Sequence, residues 1–80
     1  MYFVYMVRCA DGTLYTGVAR DPAERVLVHN SGKGAKYTRA RLPVSLVYRE
    51  EVDSLGAALK RERLLKTWSR AKKEALLLAT

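Results

Sequence analysis

Residues 2–17, Y-F-V-Y-M-V-R-C-A-D-G-T-L-Y-T-G, restrict the fold more than any other stretch of the chain. They are apolar and aromatic and are broken once, at Asp11-Gly12. Phe, Val, Tyr and Thr suit a pleated, half-buried surface, and Asp-Gly between two such runs is a strong turn signal. A β-hairpin is expected. Loop length then decides whether Tyr5 and Tyr15 meet. A two-residue loop, Asp11-Gly12, pairs Arg8 with Tyr15 and leaves the two tyrosines on opposite faces, because side chains alternate along a strand. A three-residue loop, Ala10-Asp11-Gly12 with a left-handed Gly12, pairs Val7 with Tyr15 and Tyr5 with Gly17. Both tyrosines then share a face, with open space over Gly17. The second register is the expected one. Taken alone, the hairpin also fits two tyrosines that merely stabilise strands.

At 80 residues the chain makes one small domain, 1–80, with a modest core. Its 49% hydrophobic content argues against wholesale disorder. The 15 Lys and Arg exceed the 8 Asp and Glu by seven charges, which favours a polyanionic partner, nucleic acid before an acidic membrane surface. Cys9 is the only cysteine, so neither an internal disulfide nor a thiolate zinc cluster can form. A lone strand cysteine is expected to be a small buried hydrophobe. No apolar run reaches the roughly 20 residues that span a bilayer, and Arg8 interrupts the apolar start, so a cytoplasmic protein is expected.

Asp21-Pro22-Ala23-Glu24 reads as a helix start, with Asp as cap and Pro in the first turn. The helix should end near Asn30, stopped by Gly32, with Ala23, Val26 and Leu27 as its apolar arc. Arg25 and His29 lie four apart on one edge of that arc. Singly, each also fits a plain helix residue. Residues 31–41 read as a loop, with glycines and Lys33, Lys36, Arg39 and Arg41 around Tyr37 and Thr38. Cations for phosphates and an aromatic that can stack on a base suit a nucleic-acid contact, although a solvated basic loop would look the same.

Residues 43–49 read as a third strand, with Glu50, Glu51 and Asp53 as surface charge leading into a helix over 55–68. On that helix Leu55, Ala58, Leu59 and Leu65 form one arc with Glu62 near its centre. A carboxylate on an apolar stripe is costly unless paired or metal-bound. A pair with Lys66, one turn on, is the simple alternative. Ser69 is expected to cap a last helix over 70–79, with Ala71, Ala75, Leu76 and Leu78 docked on the core. The order β-β-α-β-α-α predicts an α/β (α+β) domain, a three-stranded antiparallel sheet flanked by helices, with the first strand central and covered on both faces.

These residues resemble the GIY-YIG nuclease superfamily, in its small single-domain UPF0213 branch. Val4-Tyr5-Met6 stands at the first motif and Tyr15-Thr16-Gly17 at the second, each keeping its tyrosine. Asp21, Arg25 and His29-Asn30, with the run from Gly32 to Arg39, resemble the middle signature; Ala57 to Lys66 resembles the glutamate helix. The resemblance implies metal-dependent hydrolysis of a nucleic-acid phosphodiester, with one Mg²⁺ or Mn²⁺ held by Glu62. Arg25 would hold the scissile phosphate. Tyr5, Tyr15 or His29 would be the general base. Lys33, Lys36, Tyr37, Thr38 and Arg39 would contact the strand. No asparagine follows the glutamate, as one does in some relatives. With one small basic face, the implied preference is for single-stranded, flapped or branched DNA, in repair, recombination or uptake processing, with a protein partner as a further source of specificity. A monomer or weak dimer fits this size. A binding module without catalysis, or a docking subunit of a repair complex, is the alternative.

Overall fold

The computed structural model describes residues 1–79. Strands β1 (Tyr2–Arg8) and β2 (Leu14–Ala19) form the hairpin, followed by helices α1 (Pro22–Asn30) and α2 (Lys36–Arg39), strand β3 (Ser45–Val52), and helices α3 (Leu55–Lys66) and α4 (Arg70–Leu78). The antiparallel sheet has the order β2-β1-β3, so β1 is central as expected. The one added element is α2, a single turn inside the segment that reads as a loop.

The hairpin has the three-residue loop. Cys9 N–H donates to the Thr13 carbonyl at 2.8 Å, Gly12 N–H donates to the Cys9 carbonyl at 2.9 Å, and Gly12 sits at φ 85°. The Asp11 carboxylate accepts from Thr13 N–H and from its hydroxyl, bracing the turn. Tyr5 therefore pairs with Gly17 and Val7 with Tyr15.

Burial of β1 on both faces explains its unbroken apolar run. Tyr5 and Val7 pack with Cys9, Ala19 and Val44, flanked by Val26 of α1. Val4 faces the other way onto Ala58 and Leu65 of α3, with Trp68 and Leu76 around them.

The helices are rotated from their expected apolar arcs. In α1 the buried residues are Pro22 and His29, while Leu27 is 70% exposed and Ala23 also faces solvent. The sheet presents the Tyr5 hydroxyl on this side, so the helix turns its histidine inward instead of its most apolar edge. In α3 only Ala58 and Leu65 are buried, and Leu55 and Leu59 are exposed. In α4 nothing is fully buried; Leu76 packs inward and Leu78 is 87% exposed. That helix is held as much by charge, since the Arg8 guanidinium grips Glu74 with two bonds of 2.6 and 2.7 Å. Strand β3 runs on through Glu50 and Glu51, beyond the expected end. Arg61 and the Tyr48 hydroxyl both donate to Glu50, so an acid is accommodated in the strand.

Candidate active site

Four elements meet over Gly17. Because Gly17 has no side chain, the Tyr5 ring crosses β2 there; a Cβ on Gly17 would lie 2.6 Å from the Tyr5 hydroxyl oxygen. That hydroxyl meets Nε2 of His29 at 2.8 Å. Nδ1 of His29 meets the Thr38 hydroxyl oxygen at 2.9 Å, and Thr38 donates to the Ala35 carbonyl at 2.9 Å. The chain passes so close to the imidazole at Gly34 that a Cβ there would run into the ring and stand 2.8 Å from the His29 Cα. His29 is 1% exposed and Thr38 is fully buried. Tyr15 sets its edge against His29, with ring centroids 5.4 Å apart.

Charge surrounds this neutral pair. Burial, then the nearby Tyr15 and Glu62, push the Tyr5 phenol up to about 12, with Arg25 pulling the other way. Burial first, and Arg25 second, hold His29 below the ordinary histidine value. Both side chains are thus neutral at pH 7. Arg25 of α1 and Glu62 of α3 influence the same hydroxyl from opposite signs. The Glu62 side chain is 19% exposed and ion-paired to Lys66 at 3.3 Å, so the simple i,i+4 pair is present while its charge still reaches Tyr5.

The depressed His29 carries a stability consequence. The unfolded chain binds a proton near pH 6.5 and the folded chain only at lower pH, so the unfolded state holds more protons in between. The His29 contribution should be flat well above pH 6.5, and stability should fall as pH drops through that value. Denaturant titrations of wild type and His29→Gln check this: the extra acid-side slope should vanish in the variant.

Structure redistributes the strand-contact residues. Lys33, Lys36 and Arg39 are exposed. Thr38 is a correction: its hydroxyl is consumed by His29 and Ala35, so it cannot serve as a surface contact. Tyr37 is 38% exposed, and its ring is already partly engaged. Tyr15 stacks on one side, with centroids 5.9 Å apart, and the Arg41 guanidinium lies 3.9 Å from its centroid. Lys73, which sequence reasoning did not single out, lines two adjoining depressions of about 370 and 210 Å³ that run from Tyr15 past Tyr37 to Arg70. Lys66 lies at the Tyr15 end, and no acid lines either depression. Four residues separate Arg70 from Lys66, a same-side spacing that continuous helical periodicity could have flagged; Ser69 breaks that helix, so only folding aligns them.

No three His, Cys, Asp or Glu gather as a metal cluster among the described residues. A single carboxylate is nonetheless a fitting anchor for Mg²⁺, which keeps several waters and takes its remaining ligands from substrate phosphates.

The GIY-YIG catalytic domain matches residues 1–75. The chain belongs to the GIY-YIG catalytic domain family. A UPF0213 protein of Staphylococcus saprophyticus is 53% identical over 76 residues, covering 95% of this chain and 93% of that protein. One from Staphylococcus aureus is 54% identical with the same coverage. In three dimensions the chain is similar to the solution structure of a UPF0213 protein from Bacillus halodurans, with TM-score 0.64 and 43% identity over 100% of this chain and 86% of that one. A protein from E. faecalis gives the same TM-score at 36% identity, covering 98% and 83%. Family membership makes the domain one of a nuclease type that acts on nucleic acid. No helix among the described residues is long and apolar enough to cross a membrane.

Proposed function

We propose that the protein is a divalent-metal-dependent endonuclease that hydrolyses DNA phosphodiester bonds, with single-stranded, flapped or branched DNA preferred. The buried Tyr5–His29 hydrogen bond, within electrostatic reach of both Arg25 and Glu62, carries this reading. A phenol with its pKa pushed up to about 12 is a strong base once ionised, but at neutral pH it needs somewhere to send its own proton. His29 is hydrogen-bonded to it and supplies that place. Arg25 binds the scissile phosphate and offsets its growing charge. Glu62 would hold one Mg²⁺ or Mn²⁺, which would supply Lewis-acid stabilisation of the phosphate and the leaving oxygen.

The flanking strand lies along the Lys66–Lys73–Arg70 depressions. With the Tyr37 ring already engaged by Tyr15 and Arg41, this basic track reads sugar and phosphate and leaves base sequence unread, which suits selection by strandedness. Such a task belongs to the processing of repair or recombination intermediates, or of incoming DNA.

The test is cleavage of labelled single-stranded, duplex, flap and branched DNA with Mg²⁺, Mn²⁺ or chelator. Metal-dependent cutting is expected. Salt-sensitive binding with no cutting under any condition would leave a binding module instead. In the chelator arm, Lys73→Gln should reduce the salt slope of single-strand binding by about 0.7, the share of one phosphate contact. Lys60→Gln, on the opposite side of α3 from Glu62, should leave the slope unchanged.

A further inference from the structure

We infer that Thr38 fixes the tautomer of His29, and thereby the direction in which the Tyr5 proton can move. The argument is a count of hydrogens. Three side-chain contacts form a line: Tyr5 hydroxyl to His29 Nε2 at 2.8 Å, His29 Nδ1 to Thr38 hydroxyl at 2.9 Å, and Thr38 hydroxyl to the Ala35 carbonyl at 2.9 Å. The Ala35 carbonyl can only accept, so it takes the Thr38 proton. The Thr38 oxygen is then an acceptor toward Nδ1, and the imidazole proton must sit on Nδ1. Nε2 is left bare and accepts from Tyr5. In this arrangement all three hydrogens have acceptors.

The opposite tautomer fails the same count. With the proton on Nε2, His29 donates to Tyr5, and the Tyr5 proton has no protein acceptor although Tyr5 is 1% exposed. Thr38 would also have to turn from Ala35 to Nδ1. Burial keeps the ring neutral at pH 7, so one tautomer or the other must be present. The close passage of the chain at Gly34 is what brings Ala35 and Thr38 up against the ring.

The catalytic consequence rests on the nuclease reading; the tautomer does not. With Nε2 bare, the Tyr5 oxygen keeps its lone pairs for a water that enters with the substrate, since in the free protein Tyr5 is 1% exposed. As that water attacks phosphorus, its proton passes to the Tyr5 oxygen, and the proton already on Tyr5 passes to Nε2. His29 ends as imidazolium, with Nδ1–H still held by Thr38. The phosphorus bond to the leaving oxygen breaks, that oxygen takes a proton from solvent, and His29 later returns its proton through Tyr5. Thr38 never touches substrate. It is a positioning residue.

His29 is the sole histidine, so a long-range proton–nitrogen correlation spectrum of ¹⁵N-labelled protein at pH 7.5 reads its tautomer without ambiguity. Wild type should carry the proton on Nδ1. Thr38→Val, of the same shape, removes the acceptor of Nδ1–H, so each tautomer leaves one hydrogen without a protein acceptor and the two should become comparably populated, whereas Thr38→Ser and Tyr5→Phe should keep the proton on Nδ1. A wild-type proton on Nε2 overturns the inference, as does a Thr38→Val protein whose proton stays as fully on Nδ1 as in wild type. Should the valine variant not fold, wild type and Tyr5→Phe decide. The kinetic arm expects kcat to fall about 10- to 100-fold in Thr38→Val and to recover in Thr38→Ser, with KM little changed. The expected tautomers in a protein that cuts no DNA would leave the lock standing and remove the nuclease reading.

Discussion

Glu62→Gln should lower metal-dependent cleavage by about 10³-fold, or ~4 kcal/mol of transition-state stabilisation, while leaving the fold intact. The two halves of that expectation have separate physical grounds. Glu62 is the carboxylate whose charge reaches the Tyr5 phenol and helps to raise its pKa. A neutral amide of the same shape removes the charge on which a divalent ion would sit. In the fold, by contrast, the carboxylate has one ion pair, to a Lys66 whose side chain is half exposed. Pairs of that kind contribute at most about 1 kcal/mol, so the melting temperature should barely move. Single-turnover cleavage in Mg²⁺, with a thermal melt alongside, measures both. Wild-type cleavage by the variant would remove Glu62 from the metal site; loss of the fold would make it a structural acid instead.

Gly34→Ala should destabilise the protein by about 3 kcal/mol, the upper end of overpacking, and lower Tm by more than ~10 °C. The added methyl meets the His29 ring and, at 2.8 Å, the His29 Cα. A flexible side chain could swing aside, but the backbone of α1 cannot, and the ring is locked between Tyr5 and Thr38. Relief would require the whole 34–38 segment to lift, breaking the His29–Thr38 bond and exposing the ring. Gly56→Ala is the matched control. Its nearest neighbour would be the Ser54 hydroxyl at 4.0 Å, and an alanine early in α3 should add about 0.5–1 kcal/mol. Thermal unfolding of the two variants should therefore shift in opposite directions. A Gly34→Ala protein that melts like wild type would mean that the segment does not press on His29.

Much of this site is legible in the chain because it depends on local rules. Asp11-Gly12 demanded a left-handed residue, that demand set the loop length, and the loop length put Tyr5 opposite Gly17. Asp21-Pro22 started α1 where expected, so Arg25 and His29 came out one turn apart. The glutamate on α3 was conspicuous because an acid among leucines has a cost. What local rules misjudged were helix rotations. Leu27, Leu55, Leu59 and Leu78 were expected to help define inward faces and are exposed, because an 80-residue domain cannot cover every apolar edge.

Thr38 and Tyr37 show the limit most clearly. In sequence they are a polar residue and an aromatic residue in a basic, glycine-punctuated segment, and a surface role was the natural expectation. Whether a hydroxyl is free or consumed depends on what lies within about 3 Å of it, and no spacing rule reports that. The sequence by itself determined the strand order of the hairpin, its register, the helix starts and the identity of the chemically capable residues, since turn geometry and caps act over a few residues. Tertiary structure alone decided that His29 is buried between Tyr5 and Thr38, that Tyr37 meets Tyr15 and Arg41, and that Lys66, Lys73 and Arg70 line two adjoining depressions. Those relations join segments up to dozens of residues apart, and only packing brings them together.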